Sequence, residues 1–191
     1  GFMSEYNIYL KNLNTIGKND SLYKSSPQME LMSIFELNTS LPMIKQTEKN
    51  INYLTPKASI RFNPGDMKDY TSSDRSINVD GIFDINRLAI DDSFEEGKSL
   101  TLGVDYKKTK LNDINKFFEA KIATVYRDKN EEFIPRSSGI NGKDTNIFGS
   151  ISNNLSDTLN ISYNFILDND FNTLEYNSLN TSINYKNLST S

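Results

Sequence analysis

The chain has 191 residues, a formal net charge of −4, and neither cysteine nor histidine. Those absences exclude disulfides, thiol nucleophiles and the zinc, haem and triad chemistries that rest on Cys or His. Only carboxylate catalysis or an oxygen-ligand metal site remains; no basic block suggests nucleic acid, and no apolar run approaches the roughly 18 residues of a membrane-spanning helix.

In chain order, a first strand is expected over residues 6–11 and a second over 29–41, ending at Leu41-Pro42. The segment LTPKASIRFN follows. Leu54, Pro56, Ala58, Ile60 and Phe62 alternate there with Thr55, Lys57, Ser59 and Arg61, and alternation puts the two sets on opposite faces of a strand. A polar turn-rich loop, NPGDMKDYTSSDRS, carries Lys68 and Arg75. A weaker strand is expected over 79–88.

Four carboxylates then crowd together: Asp91, Asp92, Glu95 and Glu96. They offer oxygen ligands to a divalent cation, but they lack the spacing of an EF-hand loop and sit between two strands. The favoured reading is a charged turn, with Arg87 facing Asp92 and Glu95 across the strand ends. Nothing selects a catalytic pair, so no catalytic, cofactor-binding or metal-binding residue is assigned and the chain is read as non-enzymatic.

Beyond this turn Leu100, Leu102, Val104 and Tyr106 oppose Thr101, Gly103 and Asp105. Phe118, Ala120, Ile122, Thr124 and Tyr126 oppose Glu119, Lys121 and Ala123. Further strands are expected over 145–152, over 158–167 and over 174–185, the last with a phase break near Asn177-Ser178 that fits a bulge or a turn. The reading is an all-β chain of about nine or ten antiparallel strands. Several strands run to about ten residues, the length that crosses a bilayer when tilted. Charge is confined to one face, and Tyr106, Tyr126 and Tyr185 stand near strand ends, as in an aromatic girdle. A soluble sandwich also alternates, so period alone leaves that reading open.

The order of motifs adds a family. LTPKASIRFNPGDM, then INVDGIFDINRL, then DDSFEEGKSLTLGVDY, resembles LptD, the lipopolysaccharide-assembly or organic-solvent-tolerance family of the outer membrane. The matching positions include Pro56, Arg61 and Pro64 in the first block, and Asn86, Arg87, Asp92, Glu95, Gly97, Gly103 and Tyr106 in the second. Ile90 and Glu96 stand where the family has glycine, and Ser93 where it has arginine.

The resemblance implies a transmembrane β-barrel in the outer membrane of a Gram-negative cell, inserting lipopolysaccharide into the outer leaflet. Its partners would be lipopolysaccharide, outer-membrane lipid, an LptE-like lipoprotein plug and an LptA-like periplasmic bridge. The family's barrel is much larger than this chain can supply. Residues 1–191 are therefore expected to form one inner portion of it, without the periplasmic jelly-roll domain. Lys57, Arg61, Lys68 and Arg75 are the expected contacts to lipopolysaccharide or plug. The alternative is a self-contained small β-barrel or sandwich that acts as a binding or structural module.

Overall fold

The computed structural model describes residues 1–20, 23–154, 156, 158–185 and 188–190. Ten strands form one sheet: β1 (Met3–Thr15), β2 (Gln28–Ser40), β3 (Met43–Gln46), β4 (Asn50–Asn63), β5 (Gly97–Lys110), β6 (Asp113–Arg127), β7 (Asp144–Asn154), β8 (Leu159–Leu167), β9 (Leu174–Tyr185) and β10 (Leu188–Thr190). All neighbours are antiparallel and successive in the chain, apart from β3, which pairs with the start of β4 beside β2. β2 and β3 thus act as one strand broken at Leu41-Pro42. Proline at position 56 has no N–H to donate, and its carbonyl accepts from the Leu41 amide at this break. Among the described residues β1 and β10 lie at opposite edges of the sheet, which stays open. A self-contained barrel would pair those edges, and a sandwich would cover the outer face; among the described residues neither arrangement is observed.

Registers place the apolar sets on one continuous surface. Leu37 pairs with Ile60, Ile60 with Leu100 and Leu100 with Tyr126; Pro56 pairs with Val104 and Val104 with Ile122. Many of these side chains are exposed, including Ile60, Leu102, Ile122 and Ile151. The opposite, inner face carries the alternating polar set, and it is here that the chain is packed.

The cause is the connection of residues 64–96 between β4 and β5, which folds back over the inner face. Its Met67, Ile77, Val79, Ile82, Leu88 and Ile90 form one buried cluster with Ala123, Val125, Phe148 and Ile166 of β6, β7 and β8. Ile134 and Ile140 of the 128–143 connection complete it. The receiving row is in register: Gly103, Ala123, Phe148 and Ile166 are successive cross-strand partners. Gly103 is the low point of that row. A Cβ there would meet the Phe83 ring at 2.9 Å and the Ile122 carbonyl at 3.0 Å.

Two expectations are corrected. Residues 79–88 form turns, not a strand, because their apolar side chains are spent on the inner core. The irregularity in β9 falls at Glu175, not at Asn177-Ser178: Ile166 pairs with Tyr176 and Leu167 with Leu174.

Burial of this inner core predicts a specific sensitivity. Phe148 is fully buried, and Phe148→Ala is expected to cost about 3–5 kcal/mol, whereas Ile151→Ala on the exposed outer face should cost far less. Urea unfolding of both variants in detergent checks the contrast.

Candidate functional site

One inward-facing row beyond the apolar row, past Ser59, Thr101 and Val125, lies a charged one. Asn7, Glu36, Arg61, Ser99 and Arg127 are successive cross-strand partners over β1, β2, β4, β5 and β6. The inward-folded connection lowers Arg87 and Glu95 onto this row. Glu95 is the hub. Its Oε1 accepts from Arg127 Nη2 and Arg87 Nη2, and its Oε2 accepts from Arg87 Nε at 2.6 Å and Arg61 Nη1 at 3.3 Å. Arg61 also donates to Glu36 at 2.8 Å and to the Asp84 carbonyl.

Neutral groups take most of the remaining donors, and the buried Arg61 Nε is left without a partner among the described residues. Arg87 reaches Thr101 Oγ1 at 2.9 Å and Ser99 Oγ at 3.1 Å, while Arg127 reaches the carbonyls of Ile140 and Glu96. The side chains of Arg87 and Arg127 are 0% exposed, and that of Glu95 is 4% exposed. Burial pushes the Glu95 carboxyl up, but the guanidiniums of Arg87 and Arg127 overcome this and hold it well below the ordinary carboxylate range. Burial lowers Arg87 to about 10, against the attraction of Glu95. Buried charges are tolerable only when paired and hydrogen-bonded, and this cluster is both.

The neighbouring acids have separate tasks. Asp92 accepts from the hydroxyls of Tyr23 and Tyr70 and pairs with Lys68 at 3.3 Å. It thereby ties the 16–27 connection to the 64–96 connection. The Asp92 bond and burial push the Tyr23 hydroxyl up to about 12. Glu96 accepts from the Met67 amide at 3.3 Å and faces Lys129 at 3.6 Å, and the Asp91 carbonyl accepts from Lys11. Among the described residues no group of three or more acids is arranged to hold an ion.

The other expected positions have local roles. Asn86 brackets the turn below Arg87: its amide donates to the Ile90 carbonyl at 3.0 Å and its Oδ1 accepts from the Ile90 amide at 3.3 Å. The left-handed residue of that turn is Ala89, with φ 50°. Ile90 is therefore free to be a core residue, and it is buried. Ser93, also buried, accepts from the Lys68 amide at 3.0 Å. Gly97 opens β5 at φ 80°, a conformation that glycine adopts without a Cβ penalty, and its missing Cβ makes room for the Glu131 carboxyl. Tyr106 donates to Asn52 at 3.0 Å. Pro64 is exposed just after β4.

The four basic residues expected to meet lipopolysaccharide or a plug part company. Arg61 is buried in the charged row. Lys68 is held by Asp92, Glu30 and the Tyr23 ring. Arg75 donates to the Ala89 carbonyl at 3.2 Å. Lys57, paired with Asp105, keeps 33% side-chain exposure and lines an inner hollow of about 270 Å³ with Glu5, Asn38 and Phe83. Sequence reasoning set Arg87 against both Asp92 and Glu95. Glu95 is its partner, whereas Asp92 turns to Lys68, Tyr23 and Tyr70, and Arg127 and Glu36 were missed. Their shared register with Arg61 becomes visible only once the strands are aligned.

The two blocks that carried the resemblance thus build one buried site. Residues 5–191 match the family LptD, described as LPS transport system D. The chain belongs to the LptD family. No individual curated protein matches it. LptD is an outer-membrane family of lipopolysaccharide transport, not an enzyme family, and the open antiparallel sheet agrees with part of a β-barrel.

Removing Glu95 from this LptD chain would strand two buried guanidiniums. Glu95→Ala is expected to cost about 3–5 kcal/mol. The folded carboxyl sits below its ordinary value of 4.5, so its contribution is complete above that pH and is lost as pH falls below it. Urea unfolding across an acid series should show this loss in the parent chain, and E95Q should lack the part that Glu95 supplies.

Proposed function

We propose that this chain is an inner section of an LptD barrel wall that passes lipopolysaccharide to the outer leaflet. On this reading residues 1–191 are one barrel segment, and the jelly-roll domain and the closing strands belong to other parts of the polypeptide. One observation carries the reading. Along the outward face of β5 the side chains between Lys98 and Lys108 are Leu100, Leu102, Val104 and Tyr106. That stretch is about 33 Å long at about 3.3 Å per residue. Tilted as barrel strands are, it spans about 25 Å, the height of the apolar band of an outer-membrane barrel.

Loop lengths supply an orientation. The 16–27, 64–96, 128–143 and 168–173 connections leave one end of the sheet, and the tight 47–49 and 111–112 turns leave the other. Outer-membrane barrels keep short turns on the periplasmic side, so the long connections face the cell surface. The inward-folded connection then narrows the lumen from outside. Lys57 and its hollow lie deeper, on the inner face, where an LptE-like lipoprotein plug would meet this wall. An LptA-like bridge would feed the polypeptide from the periplasm.

The lipid-facing assignment has a direct test. Leu102→Arg, near mid-band, should cost about 2–4 kcal/mol in lipid vesicles, and an arginine at Asn52, near the band edge, about 0–1 kcal/mol. The folded protein should also need micelles and migrate differently on gels before and after boiling. Equal tolerance of both arginines, with a cooperative melt in plain buffer, contradicts the assignment.

A further inference from the structure

The outward face of the sheet ends in a basic hollow that the transport reading does not use. Beyond Tyr106 on β5 come Lys108 and Lys110, and the neighbouring strand β6, which begins at Asp113, carries Lys116 in its opening stretch Asp113-Ile114-Asn115-Lys116. These three lysines line a hollow of about 270 Å³ together with Asn50, Asn153 and Phe118. The hollow lies beside the two-residue turn 111–112, at the short-turn end of the sheet. Its upper border is the contact between the Tyr106 and Phe118 rings, 6.2 Å apart, where the uncharged band stops.

The charge balance there is uneven. Lys116 faces Asp113 at 2.9 Å. Lys108 and Lys110 are exposed and make no ion pair among the described residues. The opposite end of the same outward row differs: Lys98 lies over the Phe62 ring at 5.5 Å, with no comparable cluster beside it among the described residues. We propose that this hollow binds the phosphate of an anionic phospholipid of the inner leaflet of the outer membrane. The inference rests on the barrel reading and its orientation.

The chemistry suits that occupant. A lysine ammonium is a point charge on a flexible apolar stem. The stem lies along the end of the apolar band while the head reaches the headgroup layer. Three ammoniums around the single carboxylate of Asp113, the cross-strand partner of Lys110 and ion-pair partner of Lys116, leave a net positive charge that matches a phosphodiester anion. The amides of Asn50 and Asn153 can donate to its ester or glycerol oxygens. The Phe118 ring offers an apolar surface to the first carbons of an acyl chain. A lipopolysaccharide phosphate would reside at the other end of the strands, in the outer leaflet. Clustered lysines at a membrane surface attract anionic lipid additively, so the three act together.

The test uses the full polypeptide that carries this chain, placed in nanodiscs of phosphatidylcholine with added phosphatidylglycerol. Native mass spectrometry then counts the lipids that stay bound. The parent protein should retain phosphatidylglycerol over phosphatidylcholine. The K108Q/K110Q/K116Q variant should retain it at least about tenfold less, and K98Q should behave as the parent. Heat-dependent gel mobility reports that each variant is folded. Equal retention of phosphatidylglycerol by parent and triple variant overturns the site. So does equal retention of the two lipids, or an adduct of added inorganic phosphate without lipid. Preferential retention of lipopolysaccharide at these lysines overturns the leaflet assignment. If the parent enters nanodiscs and holds both lipids alike, only the site falls; if it does not enter them, the barrel reading falls with it.

Discussion

Glu95 sits between three arginines, and the inner half of the molecule is arranged around that fact. Arg61 and Arg127 are fixed on β4 and β6 at one level of the sheet. Two guanidiniums buried at that level need a counter-charge that their own strands do not supply in full. Glu36 supplies part of it from β2, and Glu95 supplies the rest from the connection. Glu95 brings its own partner, Arg87, with it. An ion network of this kind adds little net stability over an apolar core, but leaving it half-made is expensive. Its effect is to select one docked position for a long connection.

The neighbouring apolar row gives that position its area. Ala123, Phe148 and Ile166, with Val125, are out of character on a face whose strands otherwise carry mainly charged, Ser, Thr and Asn side chains. The first three lie at one level, with only the Thr101 and Val125 level between them and the charged row, and Ile82, Leu88 and Ile90 pack with them. Charge sets the register of docking and apolar burial supplies its strength. The outer face repeats the opposite arrangement, with apolar side chains left open over a band as tall as a bilayer core. A wall that is lipophilic outside and specifically stoppered inside suits a transport barrel. Asp92, Tyr23 and Tyr70 extend the same logic sideways by joining two of the long connections.

The strands were legible because period-two patterning is local. Each of the four clearest segments is observed, and their register follows from keeping the apolar faces together. What failed was the stretch 79–88, where Val79, Phe83 and Ile85 imitate alternation although the residues form turns. Its apolar residues serve a surface that belongs to three other strands, so no local rule reveals their use. A signal was present: Ala123, Val125 and Phe148 stand on faces that should be polar. The acidic turn was half legible. Arg87 with Glu95 could be paired by proximity in sequence, while Arg127 and Glu36 join only through strand register. Ile90, where the family has glycine, is explained by the turn itself, since the left-handed backbone falls on Ala89.

The inward docking of the 64–96 connection can be measured directly, because the chain has no cysteine of its own. Asp80 on the connection and Lys121 on the inner face of β6 meet at 2.7 Å. In the protein held in membranes, a D80C/K121C pair should be bridged rapidly by a short bifunctional thiol reagent. A D80C/I122C pair, with its second thiol on the outer face, should not. Absence of bridging in the first pair, with both thiols labelled freely, would contradict the docked connection and the charge network that holds it.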